Sequence, residues 1–197
     1  MTPIAAIPTR YAGVQFRSRL EARWAAFFDL LDWPWEYEPI DLNGYIPDFS
    51  LKFYRPMLVE VKPILRWPCL VTHCQDQDCF HDAAVTSELI KIWDSDWKHE
   101  IVLVGASLRE EFNQEYQLGA LAQEDDFGPP GEASFISSWA DLFLCTSCNV
   151  ISFCSNTHSY HCRVNGCHDG YNHKGEPGRL DLLWREAGNR VQWKRPR

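Results

Sequence analysis

No stretch of this 197-residue chain approaches the roughly 18 to 20 uncharged apolar residues that a membrane helix needs. The start, MTPIAAIPTR, has no charged region followed by an apolar one, so neither membrane insertion nor secretion is expected, and the setting reads as cytoplasmic. Internal repeats are missing too, and so is any excess of basic charge. Nineteen Lys and Arg stand against 27 Asp and Glu, a formal net charge of −8. That balance argues against nucleic-acid partners only if the charge is evenly spread, and it is not. Residues 1–24 carry +3, residues 25–140 carry −14 and residues 141–197 carry +3. Basic ends around an acidic middle allow an electropositive face, although solvated surface charge gives the same count. What is present in quantity is apolar: 45% hydrophobic residues with nine Trp exclude wholesale disorder. Eight Cys without a leader peptide read as clustered reduced thiols, which are more often metal ligands than disulfides.

In FRSRLEARWAAFFDLLDW, Phe16, Leu20, Trp24, Phe27 and Leu31 recur at three- and four-residue spacing, which predicts an amphipathic helix ended before Pro34. Three extended runs follow, WEYEP, YIPDFSLKF and MLVEVKPIL, and the turn-like YRP predicts an antiparallel hairpin between the last two. A second helix is expected over AAVTSELIKIWDSDWKH and a buried strand over EIVLVGA, giving an α/β core. The tail LDLLWREAGNRVQWKRPR fits a helix or a hairpin turning at Gly188-Asn189.

The hairpin carries the chemistry. Asp48 follows Pro47 on its first strand, and Glu60 and Lys62, two apart on the second, project from one face while Val59 and Val61 point into the core. Charged side chains on a central strand are costly unless they pair or bind a metal. Two nearby carboxylates suit a hard divalent cation, and a lysine beside them can orient an activated water or offset phosphate charge. The combination fits phosphodiester hydrolysis.

Pro47-Asp48 followed by Glu60-Val61-Lys62, with Glu21 in RSRLEARW on the preceding helix, resembles the PD-(D/E)XK nuclease superfamily over about residues 13–105. The pattern RSRLEARWA…WEYEP…PDF…EVK is similar to that of phage and actinobacterial proteins. The resemblance implies a restriction-endonuclease-like core of helix, mixed central sheet and further helices. It also implies a Mg²⁺- or Mn²⁺-dependent DNA endonuclease leaving a 5′-phosphate and a 3′-hydroxyl, in phage or mobile-element DNA processing, recombination or defence. Asp48 and Glu60 would ligate the metal with the carbonyl of Val61, Lys62 would position the attacking water, and Glu21 would bind a second metal or orient that water. Arg17 and Arg19 read as contacts to the scissile phosphate or as a solvated helix face, and Lys91 as a further contact or a surface lysine. The expected partner is duplex, nicked or branched DNA, with a second copy of the chain a further candidate. The alternative is a catalytically inactive zinc-containing nucleic-acid-binding protein on a nuclease scaffold.

The spacing Cys145-x2-Cys148, thirteen residues, Cys162-x4-Cys167 resembles a zinc ribbon, in which two knuckles close a tetrahedron of thiolates around structural Zn²⁺. Cys154, His158, His161 and His168 are nearby substitutes. In an insertion at 66–82, Cys69, Cys74, Cys79 and His81 form a candidate second zinc site, with free loop cysteines the competing reading. The expected division is a nuclease core over 1–122, an acidic Pro/Gly linker over 123–138, and a zinc-binding module over 139–197 whose basic tail, with Lys194 and Arg195, would hold DNA.

Overall fold

The computed structural model describes residues 6–69, 80, 82–94, 100–110, 116–124, 135–155, 162–167, 173–174 and 180–192. The chain opens with a small hairpin that the sequence did not announce, β1 (Thr9–Tyr11) and β2 (Val14–Phe16), turning on Ala12 and Gly13 at positive φ. Helix α1 (Arg19–Leu30) starts where Ser18 Oγ accepts the Glu21 N–H at 3.1 Å. This cap satisfies a backbone donor that the first turn leaves open. The fully buried Trp24, Phe27 and Phe28 of α1 set it on the sheet, and Trp24 Nε1 donates to the Gly105 carbonyl at 2.9 Å.

Strands β3 (Trp35–Tyr37), β4 (Phe49–Leu51) and β5 (Met57–Val61) form an antiparallel meander. Helix α2 (Ala83–Trp93) lies on the crossover to β6 (Ile101–Glu110), which runs parallel to β5 with Glu60 opposite Leu103. Antiparallel β7 (Tyr116–Glu124), β8 (Phe135–Cys145), β9 (Ile151–Ser155) and β10 (His173–Lys174) complete a mixed eight-stranded sheet. Its order is β10-β8-β7-β6-β5-β4-β3, with β9 also on β8. The fold is α/β. The tail resolves as a helix, α3 (Leu180–Arg190), whose Trp184 packs on Trp24 at 4.5 Å between ring centroids and receives the Arg23 guanidinium over its ring at 3.9 Å.

Both faces of the sheet are covered, which is why β5 is buried along its whole length. Val59, Val61, Val102 and Val104 join α1 and α3 in the larger core; Leu58, Leu103 and Ala120 join Val85, Leu89 and Ile92 of α2 in the smaller one.

Of the linker expected at 123–138, residues 125–134 lie outside the described residues. Residues 123 and 124 end β7, residues 135–138 begin β8, and the two strands pair directly, with Ala122 opposite Ser137 and Glu124 opposite Phe135. Strand β8 thus runs from the main sheet to Cys145, the first residue of the cysteine cluster. The strand chemistry of YQLGALAQE and FISSWADLFLC alternates too weakly to be read as two central strands without knowing what each face meets. The second knuckle also docks on the hairpin. Tyr54, in the β4–β5 turn, donates its N–H to the Val164 carbonyl at 3.1 Å, and its ring lies so close to Gly166 (φ +67°) that an added Cβ would come within 2.8 Å. Arg163 pairs with Glu100, which precedes β6.

Candidate active site and cysteine cluster

The start of α1, the head of β4 and the C-terminal end of β5 meet at one place, and there the four residues expected from the sequence converge. Glu21, Asp48 and Glu60 are buried, at 7%, 3% and 5% exposure. Asp48 is fixed from both sides: its Oδ2 accepts the Val61 N–H at 2.7 Å and its Oδ1 meets the Arg17 guanidinium at 2.5 Å. Glu60 of β5 and Lys62, the residue just past the strand's end, point the same way as the two-residue period requires, with Lys62 Nζ 2.9 Å from Glu60 Oε1. Glu21 receives the Tyr37 hydroxyl at 2.5 Å and the Arg17 N–H at 3.2 Å, both on Oε2.

Four contributors escaped the sequence reading. Glu88 of α2 bridges Lys62 Nζ at 3.2 Å and Lys91 Nζ at 2.8 Å, so Lys91 reaches the site through it. Helical spacing of Glu88 and Lys91 was the only available signal. Tyr45 donates to Glu60 Oε2 at 3.2 Å, and Tyr37 donates to Glu21. Glu38 pairs with Arg17 at 3.1 Å from a backbone at φ +47°, while its N–H donates to the Asp48 carbonyl. A non-glycine residue held left-handed beside buried carboxylates is strain of the kind that gathers at functional sites. Arg19, the first residue of α1, is exposed at the rim. All of these groups except Tyr37 and Glu38 line a cavity of about 1320 Å³.

The electrostatics are those of crowded anions. Burial, then the charge of Glu60, pushes the Asp48 carboxyl up to about 7 against the pull of the Val61 N–H, and Glu21 adds to the rise. Burial pulls the Lys62 ammonium down, but its bonds to Glu60 and Glu88 outweigh this and raise it. Burial likewise raises Glu88, and the hydrogen bond from Lys91 with the charge of Lys62 lowers it overall. The Tyr37 phenol is held up to about 12 by burial and by Glu21. The donor set fits a hard divalent cation, since a buried carboxylate such as Asp48, whose charge burial and its neighbours disfavour, is what such an ion relieves. Arg17 and Lys62 already counter two of these carboxylates, so the cation has to compete with both.

The second cluster is tighter. Among the described residues, the sulfurs of Cys145, Cys148, Cys162 and Cys167 all lie within 4.8 Å of one another and could hold a metal ion. The two knuckles repeat one geometry. Asn149 N–H bonds the Cys145 carbonyl at 2.7 Å and Gly166 N–H bonds the Cys162 carbonyl at 2.8 Å, with Asn149 and Gly166 both left-handed. Hydrogen bonds from Asn165, Cys145 and the Val150 N–H overcome burial and draw the Cys148 thiol down to about 7, whereas burial and the neighbouring thiols push Cys167 up to about 12. Cys154 is buried beside Phe143 and outside the four. Of the insertion, Cys69 is half-buried with its N–H on the Phe80 carbonyl at 2.8 Å. Cys74, Cys79 and His81, like Lys194 and Arg195 of the tail, lie outside the described residues.

Fold and clusters together define an α/β protein with a mixed sheet, a buried carboxylate–lysine site and a four-cysteine site fit for a metal ion. Among the described residues, no helix is long and apolar enough to cross a membrane. No protein-family model, curated protein or solved structure matches the chain.

Proposed function

We propose that the chain is a Mg²⁺- or Mn²⁺-dependent DNA endonuclease of the PD-(D/E)XK type whose four-cysteine cluster holds a structural Zn²⁺. The observation that carries the reading is the Asp48–Val61 hydrogen bond. It locks the carboxylate after Pro47 against the strand that bears Glu60 and Lys62, beside Glu21 at a helix start. A cation held by Asp48 and Glu60 would acidify a bound water and take up charge developing on the phosphate.

The protein's own part follows from its hydrogen bonds. Lys62 has three N–H donors; Glu60 and Glu88 take two, and the third is left to hold the attacking water. Glu21 keeps Oε1 for water or a second cation because Tyr37 and Arg17 both use Oε2. Arg17, exposed on its outer side, turns from Asp48 to a phosphate oxygen once that carboxylate is occupied. Purified protein incubated with plasmid, linear duplex, single-stranded and branched DNA in Mg²⁺ or Mn²⁺ tests the reading. Retardation of DNA without any cleavage would instead support a nonenzymatic binder.

Glu88 is a positioning residue, acting through Lys62. Replacing it with Gln removes one of the two charges that keep Lys62 protonated, so the alkaline limb of the pH–rate profile is expected to move to lower pH. At neutral pH the rate should fall about tenfold. Glu88→Asp should restore most of both, which a purely structural role would not require.

Cation affinity carries a sign of its own. Because Asp48 holds its proton up to about pH 7, Mn²⁺ must displace that proton below this value. The rise in thermal midpoint on adding Mn²⁺ is therefore expected to be larger at pH 8 than at pH 5.5. An equal rise at both would place the ion elsewhere.

A further inference from the structure

We infer that the rim of the active-site cavity binds the faces of unpaired bases. The substrate class is then DNA whose stack is broken beside the scissile phosphate, such as a flap, bulge or branched junction, rather than continuous duplex. This rests on the nuclease reading and narrows it.

Three large aliphatic side chains stand exposed at the cavity: Ile7 at 52%, Ile46 at 43% and Leu65 at 89%. Single exposed aliphatics are ordinary; three lining one charged cavity place apolar surface beside the carboxylates. Two of them stand within three residues of Asp48 or Lys62 in the sequence. Leu42 and Tyr45 exchange backbone hydrogen bonds at 2.8 and 3.1 Å around Asn43 and Gly44, both left-handed, and this tight turn presents Ile46 immediately before Pro47-Asp48. Leu65 comes three residues after Lys62, directly beyond Ile64, whose N–H bonds the Lys62 carbonyl at 2.7 Å and whose carbonyl accepts the Ala106 N–H at 2.9 Å.

The occupant follows from charge and shape together. Arg17, Arg19, Lys62 and Lys91 line the cavity together with five carboxylates, so with the divalent cation of the nuclease reading in place the lining turns positive and suits a phosphodiester. The bases attached to that phosphate must then meet the rim. Aliphatic side chains offer no hydrogen bonds to base edges and pack only against base faces. In continuous duplex those faces are covered by neighbouring base pairs. A wedge of Ile or Leu can reach them only by unstacking a step, at a cost of a few kcal/mol, and at a flap or bulge that cost is already met. The cavity, at about 1320 Å³, also exceeds the roughly 300–1,000 Å³ typical of small-ligand pockets, in keeping with a polymer segment.

The test uses full-length protein with Asp48→Asn to block cleavage, Mg²⁺, and DNA carrying 2-aminopurine next to a flap junction or at the same place in unbroken duplex. The flap is expected to bind about tenfold more tightly, with a change in 2-aminopurine fluorescence confined to it. Leu65→Ser combined with Ile46→Ser, both exposed and expected to fold, should reduce flap affinity to the duplex level and abolish the fluorescence change. Equal affinity for the two DNAs, no response to the rim substitutions, or self-association of the free protein that Leu65→Ser abolishes would each overturn the inference. Wild-type protein that cuts duplex and flap alike sinks this inference alone; wild-type protein that cuts no DNA sinks the nuclease reading beneath it.

Discussion

Substituting Lys62 by Met is expected to slow DNA cleavage by about 10²- to 10⁴-fold, the range that a positioned proton-transfer or water-orienting group contributes. Substituting Asp48 by Asn should do at least as much damage to cleavage and yet make the metal-free protein more stable at pH 8. The opposite signs follow from one property. Asp48 is raised from an ordinary carboxylate value to about 7 by burial and by Glu60. Its contribution to stability is complete below the unfolded value near 4 and is lost as pH climbs through about 7, each tenfold change in acidity between folded and unfolded chain being worth about 1.4 kcal/mol. Asparagine keeps an oxygen for the Val61 N–H and sheds the charge. Thermal melts of both proteins without added metal, with cleavage assays alongside, decide the matter. An Asp48→Asn protein that melts below wild type at pH 8, or cuts at the wild-type rate, contradicts this account of the site.

The second large effect belongs to the cysteines. Elemental analysis of purified protein is expected to return one zinc per chain, and Cys148→Ser should drive it towards zero. Removing a thiolate leaves three ligands for a tetrahedral ion, and the binding energy lost is folding energy. A loss of about 4 kcal/mol in a chain of this length lowers the thermal midpoint by roughly 8 to 16 °C. Cys154→Ser is the control: Cys154 is buried but outside the four-sulfur set, so zinc content should stay at one per chain. A metal content unchanged by Cys148→Ser would remove the cluster's assignment. The effect should not stay local, because the second knuckle grips the carboxylate-bearing hairpin through Tyr54 and flanks β6 through the Arg163–Glu100 pair. Cleavage is therefore expected to weaken in Cys148→Ser below the melting range.

What the sequence disclosed was whatever depends on short-range spacing. The three- and four-residue recurrence from Phe16 to Leu31 located α1, and the two-residue period set Glu60 with Lys62 and against Val59 and Val61. The paired short spacings of the cysteines picked out the four sulfurs that cluster in space. The missing parts depend on what an element meets across the fold. Glu88 looks like an ordinary solvent-facing helix residue until α2 packs over β5. Tyr37, Tyr45 and Glu38 carry no spacing signal, being brought to the carboxylates by strand pairing and turns. The tail's choice between helix and hairpin is settled by packing of Trp184 on Trp24, a contact 160 residues apart in sequence. Strands β7 and β8 stay hidden in the sequence for the same reason.

Strand β8 has a consequence for how this chain can change over evolution. A domain joined by a tether can be acquired, exchanged or discarded by recombination within the tether, leaving its neighbour intact. Here the same eleven residues, Phe135–Cys145, serve as a partner for β7 and as the stem of the first knuckle. A cut before β8 would strip it from β7, and a cut after it would take away its partners β9 and β10, leaving an open edge prone to aggregation in either case. One strand thus ties the cysteine centre to the sheet that carries the carboxylate centre, and no break within it spares both.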